Sequence, residues 1–324
     1  MDKSKRPSLP IPAVGDIEGD QVPSGLPAII DSHVHIFPAP IFKALWEWFE
    51  TYAWPIRYQD STSALLESLF TRGVDHLVAL QYAHKPGIAR DLNRYMIRHC
   101  QQFPGRMTGM ATVFPGETDA EKILEDAFSS GLKGVKLHAH VQCFDMNSTV
   151  MEPIYEICSR NDKPLVMHVG REPKSEAYLC DPYELCRADK LEAVLQTYPR
   201  LKICVPHLGM DEFENYGRMI EKYDTLWLDT SVACAAFLTT GREIRLDTMR
   251  SDRIMYGSDY PNIPYAWDRE IKQIMNAELS EETTLKIFRK NAMQFFDIGS
   301  VHSKQDVAVR KAQEQTSTPS EQRF

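Results

Sequence analysis

Several features that would narrow the function at once are missing from this 324-residue chain. No apolar run approaches the roughly 20 residues that span a bilayer. The formal net charge of −8 provides no basic stripe of the kind that nucleic-acid binders usually carry. These absences predict a protein that binds neither membranes nor nucleic acids, and they leave chemistry on a small molecule open.

Paired cysteines are also missing. The seven cysteines are scattered, odd in number and never spaced C-x-x-C. The first residues, 1–6, are followed by prolines and acids instead of the apolar stretch of a secretory signal. We therefore expect a cytoplasmic protein with reduced thiols that mostly fill the core, as Cys158 and Cys204 would in a helix and a strand.

The two ends of the chain differ in composition from its middle. Residues 1–25 are rich in Pro, Gly, Asp and Ser, and residues 301–324 are rich in Gln, Ser, Thr and Lys, without hydrophobic periodicity. Segments that cannot bury an apolar face tend to stay disordered. We expect a disordered N-terminal arm, one domain over 26–300 and a disordered C-terminal tail.

Between the ends, short β-branched or apolar runs alternate with stretches of helical periodicity. The predicted strands are Ala28–Phe37, His76–Tyr82, Met107–Phe114, Gly134–His138, Leu165–Val169, Lys202–His207, Leu226–Thr230 and Arg253–Gly257. The predicted helices are Ser63–Arg72, Ile88–Gln102, Asp119–Ser130, Met151–Arg160, Leu185–Tyr198, Phe213–Tyr223, Thr239–Met249 and Glu281–Phe296. Eight strands alternating with eight helices predict an α/β fold, a (β/α)8 TIM barrel. The alternative is a doubly wound open sheet, in which a Gly-rich turn is expected after an early strand. The motif of such a turn, G-x-G-x-x-G, is absent.

An aromatic-rich insertion interrupts the pattern after the first strand. It follows Pro38 and Pro40 and carries Trp46, Trp48 and Trp54. It lies between a strand and a helix, on the barrel face where such enzymes keep their active sites. We expect a small helix that covers the barrel mouth, contacts substrate, or does both.

Histidines mark the same face of the predicted barrel. His33 and His35 are spaced i, i+2 in a strand, so both imidazoles lie on one side and can reach one metal ion. Seven of the ten histidines fall at or just beyond predicted strand ends, namely His33, His35, His84, His138, His140, His168 and His207. Three histidines and an aspartate form a suitable N/O ligand set for zinc or a similar divalent ion.

Five segments in this order resemble the amidohydrolase superfamily, specifically the amidohydrolase-2 family of metal-dependent barrel hydrolases and decarboxylases. The resemblance covers about residues 29–296. The segments are Asp31–Phe37, Gly134–His138, Met167–His168, Pro206–Gly209 and Tyr256–Pro261. The resemblance implies that His33, His35 and His168 are metal ligands, that Asp259 is both a ligand and a proton acceptor, and that His207 is the acid/base or electrophilic partner.

The resemblance also sets the expected cofactor. It implies one divalent metal, Zn²⁺ or alternatively Mn²⁺. Two-metal members of the wider superfamily carry a carbamylated lysine on strand four, where this chain has Lys136. Some lactonases of the branch work without metal, so two ions or none stay open as alternatives.

Further residues at the strand ends are predicted to bind substrate. They are Lys136, His138, Arg171, Tyr82 and His84. Two of them have a structural alternative: Lys136 could pair with a buried carboxylate, and Arg171 could be an ordinary loop arginine. A guanidinium at position 171 could hold a substrate carboxylate bidentately. We expect Asp229 and Ser231 to support packing or the ligands, and His76 to be structural.

The predicted function is hydrolysis of a small carboxylic ester, lactone or amide by metal-activated water. The alternative is nonoxidative decarboxylation of a small unsaturated or aromatic carboxylic acid with the same ligands. His-x-His on the first strand mildly favours hydrolysis, because the aromatic-acid decarboxylases of the family often have Glu-x-His there. A hydratase and a non-catalytic scaffold are further options. The expected partner is a small, carboxylated substrate, and a homodimer is an option because dimers are common in the family.

Overall fold

Eight parallel strands in the described part of the chain form the centre of the structure. The computed structural model describes residues 13, 15–172, 174–237 and 244–299. The strands are β1 Ile30–His35, β2 His76–Leu80, β3 Met107–Gly109, β4 Val135–His138, β5 Leu165–His168, β6 Ile203–Val205, β7 Leu226–Asp229 and β8 Ile254–Met255. They pair in chain order as two sheets, β1–β3 and β4–β8. Parallel bridges from Ala111 to Val135 and from Val34 to Tyr260 join the sheets into a closed barrel. The predicted TIM barrel is confirmed.

The helices surround the barrel. They are α1 Ala39–Tyr52, α2 Thr62–Thr71, α3 Ala89–Gln102, α4 Ala120–Ser129, α5 Ala139–Gln142, α6 Glu152–Arg160, α7 Pro182–Leu185, α8 Ala188–Thr197, α9 Phe213–Lys222, α10 Arg269–Asn276, α11 Glu281–Leu285 and α12 Asn291–Phe296. Local signals explain several of their ends. Ser61 accepts a hydrogen bond from the Ala64 amide at the start of α2, and Gly73 follows its end with φ of +96°. In the described part of the chain, no helix is both long and apolar enough to cross a membrane.

The barrel interior is packed, not hollow. One apolar cluster contains a buried residue from most of the strands, together with Phe295 and Phe296 of α12. This helix therefore closes the end of the barrel at which the strands begin. A second, larger cluster packs the outer faces of the strands against the helices. With one end filled, the opposite end is left for the site.

A bulge in β1 aims the two histidines inward. The register between β1 and β2 shifts between Asp31 and Val34. Ile30 packs in the interior cluster and Val34 in the outer one. Without an extra residue His33 would face away from the Ile30 side, because side chains alternate along a strand. The bulge shifts this alternation by one, so His33 and His35 both point into the barrel.

Some element predictions need correction. The third strand was expected to run from Met107 to Phe114 but ends at Gly109, with a single bridge at Ala111. The helix predicted at Thr239–Met249 lies partly outside the described residues, and its described part contains only a short 3-10 helix, Leu246–Thr248. Helix α10 was not predicted. Ile271 and Ile274 recur at helical spacing, but a segment of only eight residues is too short for its periodicity to be decisive.

The described part of the predicted N-terminal arm packs against the barrel. Glu18 forms ion pairs with Arg57 (3.3 Å) and Arg72 (3.1 Å). The Gly19 amide donates a hydrogen bond to Asp268 at 2.9 Å. This stretch is therefore held by charges on the barrel surface that its own composition does not reveal. Residues 1–12 and the predicted tail at 301–324 lie outside the described residues.

Histidine 76 makes stability depend on pH. Its Nε2 lies 2.9 Å from Thr108 Oγ1, and burial lowers its pKa to about 4. The unfolded chain, with a pKa near about 6.5, then binds the proton more tightly. The contribution of His76 to the free energy of unfolding is therefore complete above about pH 6.5. It is lost as the pH falls toward the folded-state pKa of about 4.

We expect His76→Gln to reduce the acid sensitivity of the fold. Between about pH 7.5 and about pH 4.5 the wild type should lose roughly 2–3 kcal/mol more unfolding free energy than the variant. Urea unfolding of both proteins at the two pH values measures this difference. Equal losses in the two proteins would contradict the assignment of His76 as a titrating group.

Candidate active site

The first and last strands bring three potential ligands together. His33 Nε2 lies 3.1 Å from His35 Nε2, and Asp259 Oδ1 lies 3.3 Å from His33 Nε2 and 3.1 Å from His35 Nε2. All three residues are buried. Burial lowers the pKa of His33 well below its usual range and also lowers that of His35. Both imidazoles are thus neutral, the form that binds metals.

His168 and His207 extend this group from β5 and from the end of β6. His207 Nε2 lies 3.2 Å from His168 Nδ1, and the ring of His207 lies 5.3 Å from that of His33. His168 also forms a second cluster with His138 and His140, whose nitrogen atoms lie within 4.8 Å of one another. The predicted four-ligand set therefore divides between two adjoining clusters, with His168 in contact with His207.

Hydrogen-bond acceptors fix which ring nitrogens carry protons. His33 Nδ1 donates to Asp229 Oδ2 at 2.8 Å, and His207 Nδ1 donates to the Ser231 carbonyl at 2.8 Å. His168 Nε2 donates to Glu172 Oε2 at 3.2 Å. The opposite nitrogens of the three rings are left with lone pairs. His168 Nδ1 and His207 Nε2 therefore face each other as two acceptors.

This donor set fits a divalent cation. Atoms about 2.1 Å from a shared ion lie roughly 3.0–3.4 Å from one another, and the separations among the facing atoms of His33, His35 and Asp259 are 3.1–3.3 Å. Facing lone pairs repel each other unless a cation or a shared proton lies between them. The carboxylate partner on the far side of His33 is also typical of metal-ligating histidines.

One buried carboxylate holds two of the histidines. Asp229 Oδ2 accepts from His33, while Oδ1 accepts from the His207 amide at 3.1 Å and the Ser231 amide at 3.1 Å. The Ser231 hydroxyl also donates to Asp229 and lies 2.9 Å from His207 Nδ1. The expectation that Asp229 and Ser231 support the ligands agrees with this network.

Uncommon backbone conformations occur at two of the site residues. His207 has φ of 57° and Asp259 has φ of 63°. Few non-glycine residues adopt positive φ, and those that do are often found at functional sites. Gly209, in the same turn as His207, leaves no room for a Cβ, which would overlap the Tyr216 ring. These turns direct both side chains into the barrel mouth.

Sequence reasoning missed Glu172. It follows β5 in the loop and accepts hydrogen bonds from His168 at 3.2 Å, His140 at 2.9 Å and the Tyr178 hydroxyl at 2.8 Å. Burial would raise its pKa, but the neighbouring His140 and His168 lower it well below its usual range. Glu172 is therefore an anionic anchor for a predicted metal ligand. A loop glutamate four residues after a strand-end histidine gave no motif that would reveal this role.

A cavity of about 780 Å³ opens above these residues. Its lining includes the predicted metal ligand His168. Three predicted substrate contacts, Tyr82, His84 and His138, line the same cavity. Helix α1 and the following turn supply an aromatic wall of Trp48, Phe49, Tyr52 and Trp54. Trp48 stacks on Tyr178 with ring centres 5.5 Å apart. The insertion therefore both covers the barrel mouth and lines the cavity.

Lys136 lies below the cavity, inside the barrel. It is fully buried, and its Nζ has no hydrogen-bond partner among the described residues. Burial lowers its pKa to about 8, while the nearby Asp229 and Asp259 oppose that shift. His138, two residues on, stacks on His168 at 3.9 Å. Of these two predicted substrate contacts, only His138 faces the cavity.

Arg171 is placed differently from its prediction. Its Nε donates to the Tyr183 carbonyl at 3.1 Å, and the guanidinium lines a separate surface cavity. It does not line the cavity above His168. The loop turns after Gly170, whose φ is 106°, and directs the next residue away from the barrel mouth. A role for Arg171 in binding substrate at this site is not supported by its position.

We expect Glu172→Gln to weaken metal binding. The amide is a poorer acceptor for His168 Nε2–H than the carboxylate, and loss of such partners typically costs about 10–100-fold in affinity. Elemental mass spectrometry should give about one divalent ion per wild-type chain, and chelator competition should show the weaker binding of the variant. Glu176→Gln, in the same loop, is the control. Wild-type affinity in Glu172→Gln would contradict the anchoring role.

Comparison with solved structures supports the barrel. The chain is similar to an uncharacterised TIM-barrel protein from Bordetella bronchiseptica, at 15% identity and a TM-score of 0.64, over 83% of this chain and 98% of the other. It is also similar to a 5-carboxyvanillate decarboxylase from Novosphingobium aromaticivorans complexed with manganese, at 19% identity and a TM-score of 0.60, over 87% and 100%.

A third similar structure carries a different activity in its description. It is a Pseudomonas putida protein provisionally described as a 2-pyrone-4,6-dicarboxylic acid hydrolase, with 18% identity and a TM-score of 0.59, over 84% of this chain and 98% of the other. At such identities these likenesses establish the fold alone.

The amidohydrolase family profile, Amidohydro_2, matches residues 30–298, which is most of the 324-residue chain. The chain belongs to the amidohydrolase family.

Proposed function

We propose that this protein is a metal-dependent hydrolase of a small carboxylic ester, lactone or amide. The observation that carries the proposal is the position of the ionised Asp259 carboxylate beside two histidines. Its Oδ1 lies 3.1 Å and 3.3 Å from two imidazole nitrogens. Burial would raise its pKa, but the hydrogen bond with His35 lowers it. An ionised carboxylate accepts a proton from water, as hydrolysis requires.

The chain's residues divide into metal-holding and proton-handling groups. His33, His35, His168 and Asp259 would hold the divalent ion, whose chemistry is to polarise a carbonyl and acidify water. Asp259 accepts the proton from the attacking water as the water oxygen bonds to the carbonyl carbon. His207 is fixed by Ser231 with its Nε2 lone pair inward. It receives that proton from Asp259 and gives it to the leaving oxygen or nitrogen as the bond between this atom and the carbonyl carbon breaks.

Nonoxidative decarboxylation is the second candidate. The aromatic lining of the cavity favours a ring-containing acid, and the similar manganese-bound structure is described as a decarboxylase. Decarboxylation requires a group that delivers a proton to carbon after carbon dioxide leaves. An Asp259 that is held ionised is poorly suited to that step, which is why we place hydrolysis first.

We expect the metal-loaded protein to release acid from lactones, esters or amides without producing carbon dioxide. A pH-stat assay in parallel with carbon dioxide detection separates the two reactions on aromatic lactones and aromatic acids. Asp259→Asn should lower kcat by about 10²–10⁴-fold. Asp20→Asn, an exposed residue outside the cavity lining, is the control. Carbon dioxide release from an aromatic acid that depends on Asp259 would establish the decarboxylase instead.

We also expect His207→Ala and His168→Ala to fail in different ways. His207→Ala should keep its metal and lose most of its activity, because its proposed role is proton transfer. His168→Ala should lose both metal and turnover. Elemental analysis and activity of each variant, with circular dichroism to check folding, measure this. Loss of the metal in His207→Ala would make it a ligand and point to a two-ion site.

A further inference from the structure

Two cysteines far apart in sequence have their thiols in contact. Cys143 follows α5, and Cys180 lies in the loop after β5, 37 positions later. Their Sγ atoms are 2.9 Å apart. Both thiols also donate toward the His140 carbonyl, at 3.4 Å for Cys143 and 3.0 Å for Cys180. A disulfide bond of about 2.05 Å therefore needs the two sulfurs to approach by less than about 1 Å.

Cys143 is the most accessible thiol among the described residues, and Cys180 shares the partly exposed class with Cys100 and Cys234. Cys143 is exposed and Cys180 is partly exposed, whereas Cys158, Cys186 and Cys204 are buried. Burial raises the pKa of Cys158 and of Cys180 to about 12. An oxidant in solution therefore meets the Cys143 sulfur first, with the Cys180 thiol beside it. An accessible thiol next to a second one is the usual arrangement of a reversible redox site.

We propose that Cys143 and Cys180 are a redox modification site that closes to an intramolecular disulfide with a peroxide as oxidant. The Cys143 thiolate attacks one peroxide oxygen, the O–O bond breaks, and hydroxide leaves and takes up the thiol proton as water. The Cys180 thiol then attacks the sulfenic sulfur, the S–S bond forms, and the second oxygen leaves as water. Two thiols are oxidised and one peroxide is reduced to two waters. A small-molecule thiol reverses the reaction.

The bond would link two segments that already meet at the cavity wall. Cys180 belongs to the loop that carries Glu172 and Tyr178, and Cys143 follows the turn that carries His140. Glu172 joins these segments through His140 at 2.9 Å. A covalent link beside that ion pair should reduce the opening of the loop. Lys174, in the same loop and 58% exposed, provides a trypsin cleavage site that reports such opening.

The test treats the full-length reduced protein with limiting hydrogen peroxide and blocks the remaining thiols under denaturing conditions. We expect a mass loss of two hydrogens per chain and a peptide that joins Cys143 to Cys180. Native trypsin cleavage after Lys174 should slow several-fold, and dithiothreitol should restore it. Cys180→Ser should abolish the mass loss and leave Cys143 as a sulfenic acid that dimedone traps. Cys100→Ser, which removes another partly exposed thiol, should behave as the wild type.

Other products would overturn the proposal. These are oxidation of Cys143 to a sulfinic acid without linkage, a bond from Cys143 to Cys186, or a bond between two chains. Retention of the mass loss in Cys180→Ser would also overturn it. Mapping of the wild-type protein decides the question even if a variant fails to fold. None of these readouts depends on the metal or on the reaction proposed above.

Discussion

The junction between the first and last strands is the constraint on which the site depends. Asp31 in β1 accepts hydrogen bonds from the Ser258 amide at 3.0 Å and the Ser258 hydroxyl at 2.6 Å, across 227 positions of sequence. The Asp259 amide donates to the His33 carbonyl at 2.9 Å. At Gly257 a Cβ would come within 2.7 Å of the His33 Cβ. The close approach of these strands is what sets Asp259 beside the two histidines.

Buried charge explains why the rest of the site is so extensively hydrogen-bonded. A carboxylate in a protein interior is costly unless donors surround it. Asp229 receives four donors from His33, His207 and Ser231. The bond to Asp229 sets which nitrogen of the His33 ring faces inward, and the Ser231 carbonyl does the same for the His207 ring. Solvation of one aspartate and orientation of His33 and His207 therefore depend on one hydrogen-bond network.

The strand ends and the loops supply different parts of the site. The side chains proposed to bind metal and to transfer protons lie at the strand ends, which a barrel keeps rigid. The aromatic wall comes from α1 and its following turn, and Glu172, Tyr178 and the cysteine pair come from the loops after β4 and β5. Barrels of one family change substrates and regulation mainly through such loops. Whether two chains associate through any of these surfaces remains a prediction from the family.

The sequence alone was sufficient for the barrel and for most of the strand-end residues. Parallel strands buried on both faces read as short apolar runs, and the period of two placed His33 and His35 on one side. Gly73 and Gly131 marked helix ends because a left-handed residue is needed there. Signals of this kind are local, so neighbouring residues carry them.

Only the tertiary structure decided which residues from different loops meet. The turn at Gly170 directs Arg171 outward, while Glu172 turns back toward His168. Cys143 and Cys180 meet because the loops after β4 and β5 are neighbours in the barrel. The packing of residues 15–25 and the ion pairs of Glu18 were equally invisible. Loop conformation depends on long-range contacts and lacks a period, so the sequence determined the framework and the tertiary structure determined the contacts between its loops.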